Sequence, residues 1–239
     1  MSATSKEDRW GIVTGAAGSI GSSLCQSLRA RGVRIAGLDI KQGDAVGDLV
    51  SEPVDISDYG SLERVLGELM ESLGPPDLVA HVAGVYPLRA VASVSDDEVD
   101  EVLTVNFLSA VRLCRLVVPS MDARGKGRLL LMGSQAGATG GTDAVYASSK
   151  AALVALGKSL AREHGRAGVR VNIVSPGPVD SPMAAVMPAE RRQHYECAIP
   201  IGRFAQPDEV AYLASFVLLD APDALNGATI DIDGGLVRR

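Results

Sequence analysis

Cysteine is scarce in this 239-residue chain: Cys25, Cys114 and Cys197 are odd in number, widely separated and free of any CxxC pairing. That pattern excludes a disulfide framework and a structural metal site as first readings. No basic run interrupts a balance of 23 Lys and Arg against 29 Asp and Glu, so the phosphate footprint of a nucleic-acid binder is missing. No apolar run approaches the roughly 18 residues that span a bilayer, and the opening MSATSKEDRW holds no apolar leader. A soluble cytoplasmic protein without nucleic-acid or membrane partners is expected. Aromatics make up only 4% of the chain, and no repeat or low-complexity segment is visible.

What is there is the length of one α/β domain, read as a single unit over residues 1–239. Runs rich in Val, Ile and Leu (WGIVTG, VRIAGLD, DLVAHVAG, GRLLLMGS, VRVNIVSPG) alternate with longer amphipathic segments. Near-continuous apolar strands separated by helices predict a parallel sheet covered on both faces. The fold class is therefore α/β, a doubly wound three-layer sheet of the Rossmann type. Residues 181–203 break the pattern and read as an irregular substrate-covering loop. A helix at about 207–220 and a short strand in ATIDIDGG close the chain.

The strand GIVT runs into GAAGSIG and then a helix. Bare backbone and the first helical N–H groups at Gly15, Ala17, Gly18, Ser19, Ile20 and Gly21 would then face a diphosphate. An acid at the end of the second strand, Asp39 in AGLDI, strengthens the reading by accepting ribose hydroxyls and repelling a 2′-phosphate. NAD is thus expected over NADP, although Lys41 could attract a phosphate. Only 16 residues separate Asp39 from Asp55, too few for a full helix and a strand, so this crossover should be abbreviated. Asp55 and the Ile56 backbone could border the adenine; alternatively Asp55 caps the next helix.

Tyr146 and Lys150 stand at i and i+4, on one face of a predicted helix over 143–164. A phenol with a pKa of about 10 is a poor base at neutral pH, and a neighbouring cation lowers that value. Such a tyrosine can exchange a proton with a substrate hydroxyl. Ser134 ends the strand RLLLMGS at the sheet edge where α/β proteins bind ligands.

TGAAGSIG, AGLD, VDIS, VNF, MGS, YASSK, VNIVSPGPVDSPM and GRFAQPDEVA…NGATIDIDGG together resemble the short-chain dehydrogenase/reductase family along nearly the whole chain. The resemblance implies Tyr146 as general acid/base, Lys150 as the group that lowers its pKa and holds the nicotinamide ribose, and Ser134 as the residue polarising the substrate carbonyl. It implies that Asn106 bends a helix and holds a proton-relay water. Val82, Ala83 and Gly84 would border the adenosine. Pro176, Gly177, Val179 and Ser181 would line the nicotinamide, with Ser181 where a threonine is usual. Metal is not required. The tail is similar to 3-oxoacyl reductases, and the short second crossover to dihydrodiol dehydrogenases.

Three departures from the family pattern stand out. Ser19 occupies the usual middle glycine position, where it could cap the helix; HVAG replaces Asn-Asn-Ala-Gly; and Ser134 precedes Tyr146 by one residue fewer than usual. His81 reads first as a packed, hydrogen-bonded imidazole and second as a functional one. The expected reaction interconverts a secondary alcohol and a ketone; a 3-oxoacyl thioester reductase and a non-catalytic NAD sensor or scaffold are the alternatives. Substrate contacts are sought at Tyr86, Gln135, Ala136 and Pro178, and at Met187, His194 and Tyr195 within 184–199. Arg191 and Arg192 read as solvated charges before receptors for an acidic substrate. Apolar helices at 98–121 and 143–164 predict a homotetramer, or a dimer.

Overall fold

The computed structural model describes residues 9–41, 49–50 and 53–237; the N-terminal stretch judged above for a leader lies almost wholly outside them. Six parallel strands form one sheet in the order β2-β1-β3-β4-β5-β6. They are β1 (Trp10–Thr14), β2 (Arg34–Leu38), β3 (Leu78–His81), β4 (Gly127–Met132), β5 (Val169–Pro176) and β6 (Thr229–Ile232). The central strands are apolar on both faces because helices cover both, as the continuous Val, Ile and Leu runs require.

On one face α1 (Ser19–Arg29) packs beside α9 (Pro207–Leu219), with Leu24, Leu28, Val210 and Leu218 buried against Val13, Ile35 and Leu130. On the other lie α2 (Tyr59–Leu73), α4 (Ser109–Arg124) and α6 (Ala144–His164), where Leu62, Leu66, Leu113 and Val117 meet Ile12, Val79 and Leu129. Gly157 lets α6 come close to β5, since a Cβ there would sit 2.7 Å from Ile173 Cδ1.

Most of the stretch between Asp39 and Asp55, where an abbreviated crossover was expected, lies outside the described residues; no strand ends at Asp55, and the connection from β2 to β3 carries the full helix α2. Between β2 and α2 the described residues hold no helix; Leu49 and Val54 instead donate backbone hydrogen bonds to Ile35 and Asp39 at the edge of β2. The helix expected over 98–121 is longer and interrupted: α3 (Asp96–Leu103) passes through a π-helical turn (Thr104–Leu108) into α4. This continuous stretch from Asp96 to Arg124 is long and apolar enough to cross a membrane by length and composition, contrary to the expectation that no run was. Its apolar side is a core surface: Ala110, Leu113, Val117, Val118 and Met121 are all buried inside the protein. Residues 181–203 are not an irregular loop either. They fold into α7 (Pro182–Ala185) and α8 (Ala189–Ala198), because Pro182 starts a turn and Ile199 and Phe204 anchor the segment in a small core of its own. The remaining short helix, α5 (Ala136–Thr139), follows β4.

Candidate active site

The chain leaves β1 for β2 on one side and later returns to β3 on the other, so the carboxyl ends of β1 and β3 flank a topological switch point where ligands bind. Gly15 makes the turn there with φ +67°, and a Cβ on it would come within 2.7 Å of Ala83 Cα. A Cβ on Gly21 would collide with the Gly15 carbonyl oxygen, so these two glycines let α1 start against the strand ends. Gly18 is the N-cap and supplies no side-chain cap. Ser19 is the first helical residue and does not cap the helix as expected, because the N-cap position falls on Gly18. The first-turn N–H groups of Ser19, Ile20 and Gly21 lack intrahelical acceptors and a capping side chain, which suits the diphosphate of a nucleotide cofactor.

Asp39 closes this groove. One carboxylate oxygen accepts from Ala17 N at 2.9 Å and the other from Lys41 N at 3.0 Å, fixing the group at the end of β2 with lone pairs to spare for hydroxyls. Asp55 instead accepts from Ser57 N and Ser57 Oγ, while Asp58 caps α2 through Gly60 N; the helix-cap alternative for Asp55 is therefore corrected. Ile56 is buried beneath this turn.

Across the cleft, Ser134, Tyr146 and Lys150 line one cavity with Ile20, Val82 and Gly84. The short α5 and the turn at Gly140 (φ +75°) fold the chain back so that Ser134 reaches Tyr146 across the tightened loop. Asp143, 3% exposed, caps α6 by accepting from Tyr146 N at 3.1 Å. Lys150, also 3% exposed, donates from Nζ to the Met132 carbonyl at 2.8 Å, and burial lowers its pKa to about 8. The Tyr146 phenol does not show the expected lowering. Burial pushes it up to about 12; a hydrogen bond with Ser134 works downward, and Tyr86 and Asp143 push further up. Desolvation of a phenolate outweighs a lysine whose ammonium is directed at a carbonyl.

Asn106, fully buried, sits at the centre of the π turn. Its Oδ1 accepts from Val85 N at 2.8 Å and its Nδ2 donates to Val85 O and to Ser149 Oγ, which in turn donates to Tyr146 O. Its side chain is thus committed to tying the segment after β3 to the tyrosine-bearing helix. Gly84 is pinched between them, with a Cβ there 3.3 Å from both Asn106 Oδ1 and Lys150 Nζ. At the end of β5, Pro176, Gly177 and Val179 complete the wall; Gly177 N donates to Ile232 O, and Ser181 Oγ to Val179 O at 3.3 Å.

Residues 15–237 match a family profile described as Enoyl-(Acyl carrier protein) reductase. The chain belongs to the short-chain dehydrogenase/reductase family. It is 29% identical to the 3-oxoacyl-[acyl-carrier-protein] reductase FabG of Escherichia coli K12, over 96% of this chain and 98% of that one. Its fold is similar to a solved short-chain dehydrogenase/reductase titled glucose/ribitol dehydrogenase from Brucella melitensis (TM-score 0.89, 26% identity, 98% of each chain covered). It is also similar to a 3-oxoacyl-[acyl-carrier protein] reductase structure from the same organism (TM-score 0.88, 28% identity, 97% of this chain and 92% of that one). The chain is accordingly an oxidoreductase of this family.

His81, the departure in the short-chain dehydrogenase/reductase strand-end motif, is packed. Its Nδ1 bonds Thr14 Oγ1 at 3.0 Å, and Thr14 Oγ1 also accepts from Val82 N and Ala83 N, so this pair links β1 to β3. Burial, helped by Lys150, lowers the His81 pKa to about 3 against an opposing pull from the Asn106 backbone, and among the described residues its Nε2 meets no partner at hydrogen-bond geometry. A proton-shuttling role at neutral pH does not fit this imidazole.

Gln135, Ala136, Pro178, Met187 and Tyr195 line the cleft as expected, and Tyr86 stacks on Tyr146 with ring centres 4.6 Å apart. Neither arginine of α8 is simply solvated. Arg191 enters the cleft and donates to Tyr86 Oη at 3.1 Å; Arg192 pairs with Asp180 and Glu196 and lies over the Phe204 ring. His194 is exposed beside Tyr195 and does not line the cleft. The sequence reading missed Asp143 and Met183. Asp143 could have been found as an N-cap three residues before Tyr146; nothing local marks Met183.

Proposed function

We propose that the protein interconverts a secondary alcohol and a ketone with NAD as hydride carrier. The observation that carries this reading is the convergence of Ser134, Tyr146 and Lys150 in one cleft beside the uncapped first turn of α1. When bound, the nicotinamide would supply the hydride acceptor and, in its oxidised form, would add a positive charge to the cleft. In oxidation Tyr146 takes the hydroxyl proton of the substrate as the carbinol hydride leaves, and Ser134 holds the same oxygen. Lys150 would hold the ribose, with Asn106 and Ser149 fixing the helix that carries it. Gly15, Ala17, Gly18, Ser19, Ile20 and Gly21 would cradle the diphosphate and Asp39 the adenosine ribose. Asp55, Ile56, Val82, Ala83 and Gly84 would border the adenine side. Pro176, Gly177, Val179 and Ser181 would line the nicotinamide. Asp39 favours NAD because its carboxylate would oppose a 2′-phosphate.

A second reading, reduction of 3-oxoacyl thioesters, is favoured by the printed names of relatives such as the E. coli protein. A non-catalytic sensor is disfavoured by the buried polar set around Tyr146. The reading treats the chain as one cytoplasmic domain that assembles as a homotetramer through exposed apolar residues, Leu103 and Leu108 on the long helix and Tyr212 and Phe216 on α9. Light scattering at micromolar concentration tests the assembly, and a monomer refutes it. The reaction is tested by following nicotinamide absorbance with NAD, then NADP, over secondary alcohols, cyclic diols, sugars and 3-hydroxyacyl thioesters. Turnover that is lost in Tyr146→Phe while cofactor binding survives is the expected result; unchanged turnover in Tyr146→Phe refutes the assignment.

A further inference from the structure

The two neighbouring arginines of α8 are treated differently by the fold. Arg192 meets Asp180 at 3.1 Å and Glu196 at 2.9 Å, so its charge is matched. Arg191, one residue earlier, is turned into the cleft that holds Tyr146. Among the described residues no carboxylate lies within ion-pair distance of it. Its partners are aromatic: Tyr86 Oη accepts from Nη2 at 3.1 Å, and the guanidinium lies 5.8 Å from the centre of the Tyr195 ring.

A partly buried guanidinium without a counter-anion is costly, and the planar fork of five donors matches a carboxylate in two-point contact. Tyr86 and Tyr195 both take hydrogen bonds from it, but these neutral hydroxyls leave its charge unmatched and further N–H donors of the fork open to a ligand. The acid that lines the cleft, Asp143, forms no ion pair with Arg191; its two oxygens face the Tyr146 and Arg89 backbone N–H groups. Tyr86 also fixes where the charge stands. Its ring contacts the Tyr146 ring at 4.6 Å and an interplanar angle of 54°, so the guanidinium is one aromatic ring away from the proposed acid/base. One positive charge balances one carboxylate, whereas a phosphate monoester dianion would be left half neutralised.

We infer that Arg191, oriented by Tyr86, is the receptor for a carboxylate on the substrate, so that the preferred substrates are hydroxy and oxo acids and not neutral alcohols or thioesters. This rests on the reaction proposed above and adds a specificity-determining residue to it. A substrate with the carboxylate a few bonds from the reacting carbon would span from Arg191 to Ser134 and Tyr146. Arg191 takes no part in proton or hydride movement.

The test uses 3-, 4- and 5-hydroxyhexanoate, their methyl esters and the N-acetylcysteamine thioester of 3-hydroxyhexanoate, each with NAD and with NADP. Wild-type protein is expected to prefer at least one acid over its ester. Arg191→Met should lower kcat/KM for that acid by about 100-fold, chiefly through KM, while leaving the ester nearly unchanged, and Arg191→Lys should restore part of the loss. Equal use of acid and ester by wild type, a thioester preference, or a parallel fall for acid and ester in Arg191→Met overturns the inference. If none of these compounds turns over, binding of the three acids to Tyr146→Phe protein with NADH, followed by calorimetry, decides separately. Binding that disappears in Tyr146→Phe/Arg191→Met upholds the carboxylate site while the proposed reaction fails; no binding of any acid overturns it.

Discussion

Lys150 Nζ lies 2.8 Å from the Met132 carbonyl oxygen and 5.9 Å from the centre of the Tyr146 ring, so the ammonium is anchored to the last residue of β4, two residues before Ser134. The lysine thereby joins β4 to α6, and its charge is held at a fixed place between the groove and the phenol.

That placement is unfavourable for stability. With a pKa of about 8 in the folded protein against an ordinary 10.5, Lys150 binds fewer protons folded than unfolded between those values. Stability should therefore rise as pH increases from 8 to 10.5, and below 8 the full cost of the buried charge is present. Lys150→Met should remove that slope and stabilise the protein at pH 7 by up to about 3 kcal/mol. Turnover should meanwhile fall by about 100-fold or more. Denaturant titrations at pH 7 and 10, paired with assays, check both; a less stable Lys150→Met protein at pH 7 would contradict the assignment of cost.

His81 acts at the other end of the pH scale. Its pKa falls from 6.5 to about 3 on folding, so the unfolded chain takes up the proton first as pH drops through this window. Stability is present above 6.5 and is lost progressively toward 3, by roughly 5 kcal/mol as a ceiling. His81→Asn should keep the Thr14 bond and flatten the acid limb, which melting curves from pH 7 to pH 4 would reveal.

Asp39→Ala removes both the charge and the acceptor for Ala17 N and Lys41 N. Affinity for NAD should weaken by about 10-fold or more, with the loss of hydrogen bonds to a charged group. The ratio of NADP to NAD use should rise. Fluorescence titration with both reduced cofactors measures it, and an unchanged ratio would show that selectivity resides elsewhere.

Asn106→Ala should cost about 1–3 kcal/mol, because half-buried Val85 N and O and the buried Ser149 hydroxyl lose their partner. Thermal unfolding reports the loss. A small decrease, under about 0.5 kcal/mol, would mean that the turn re-forms with other partners.

Much of this architecture is readable from short-range pattern. The strand, glycine turn and helix around Gly15, the Asp39 terminus and the four-residue spacing of Tyr146 and Lys150 all depend on neighbours in sequence. What escaped depends on contacts between distant segments. The upward direction of the Tyr146 pKa shift comes from burial reinforced by Tyr86 and Asp143, and no spacing rule encodes that burial. Arg191 and Arg192 are indistinguishable as a pair of letters; only the docking of α8 through Ile199 and Phe204 turns one inward and the other out. The helices within 181–203 are short and polar, with little periodicity to read, and Pro182 alone gave a local start signal.

The π turn at Thr104–Leu108 holds one residue more than an α-helical turn, with Ser109 N reaching back to Thr104 O. Each residue advances a helix by about 100°, so this extra residue sets the phase between α3 and α4. Upstream of it α3 packs against α6; downstream Leu113 and Val117 address the sheet. Deleting Val105 or Phe107 would leave Asn106 and every other proposed site residue in the chain and still swing one half of the helix away from its target. The site therefore depends on chain count here as strictly as on chemistry elsewhere.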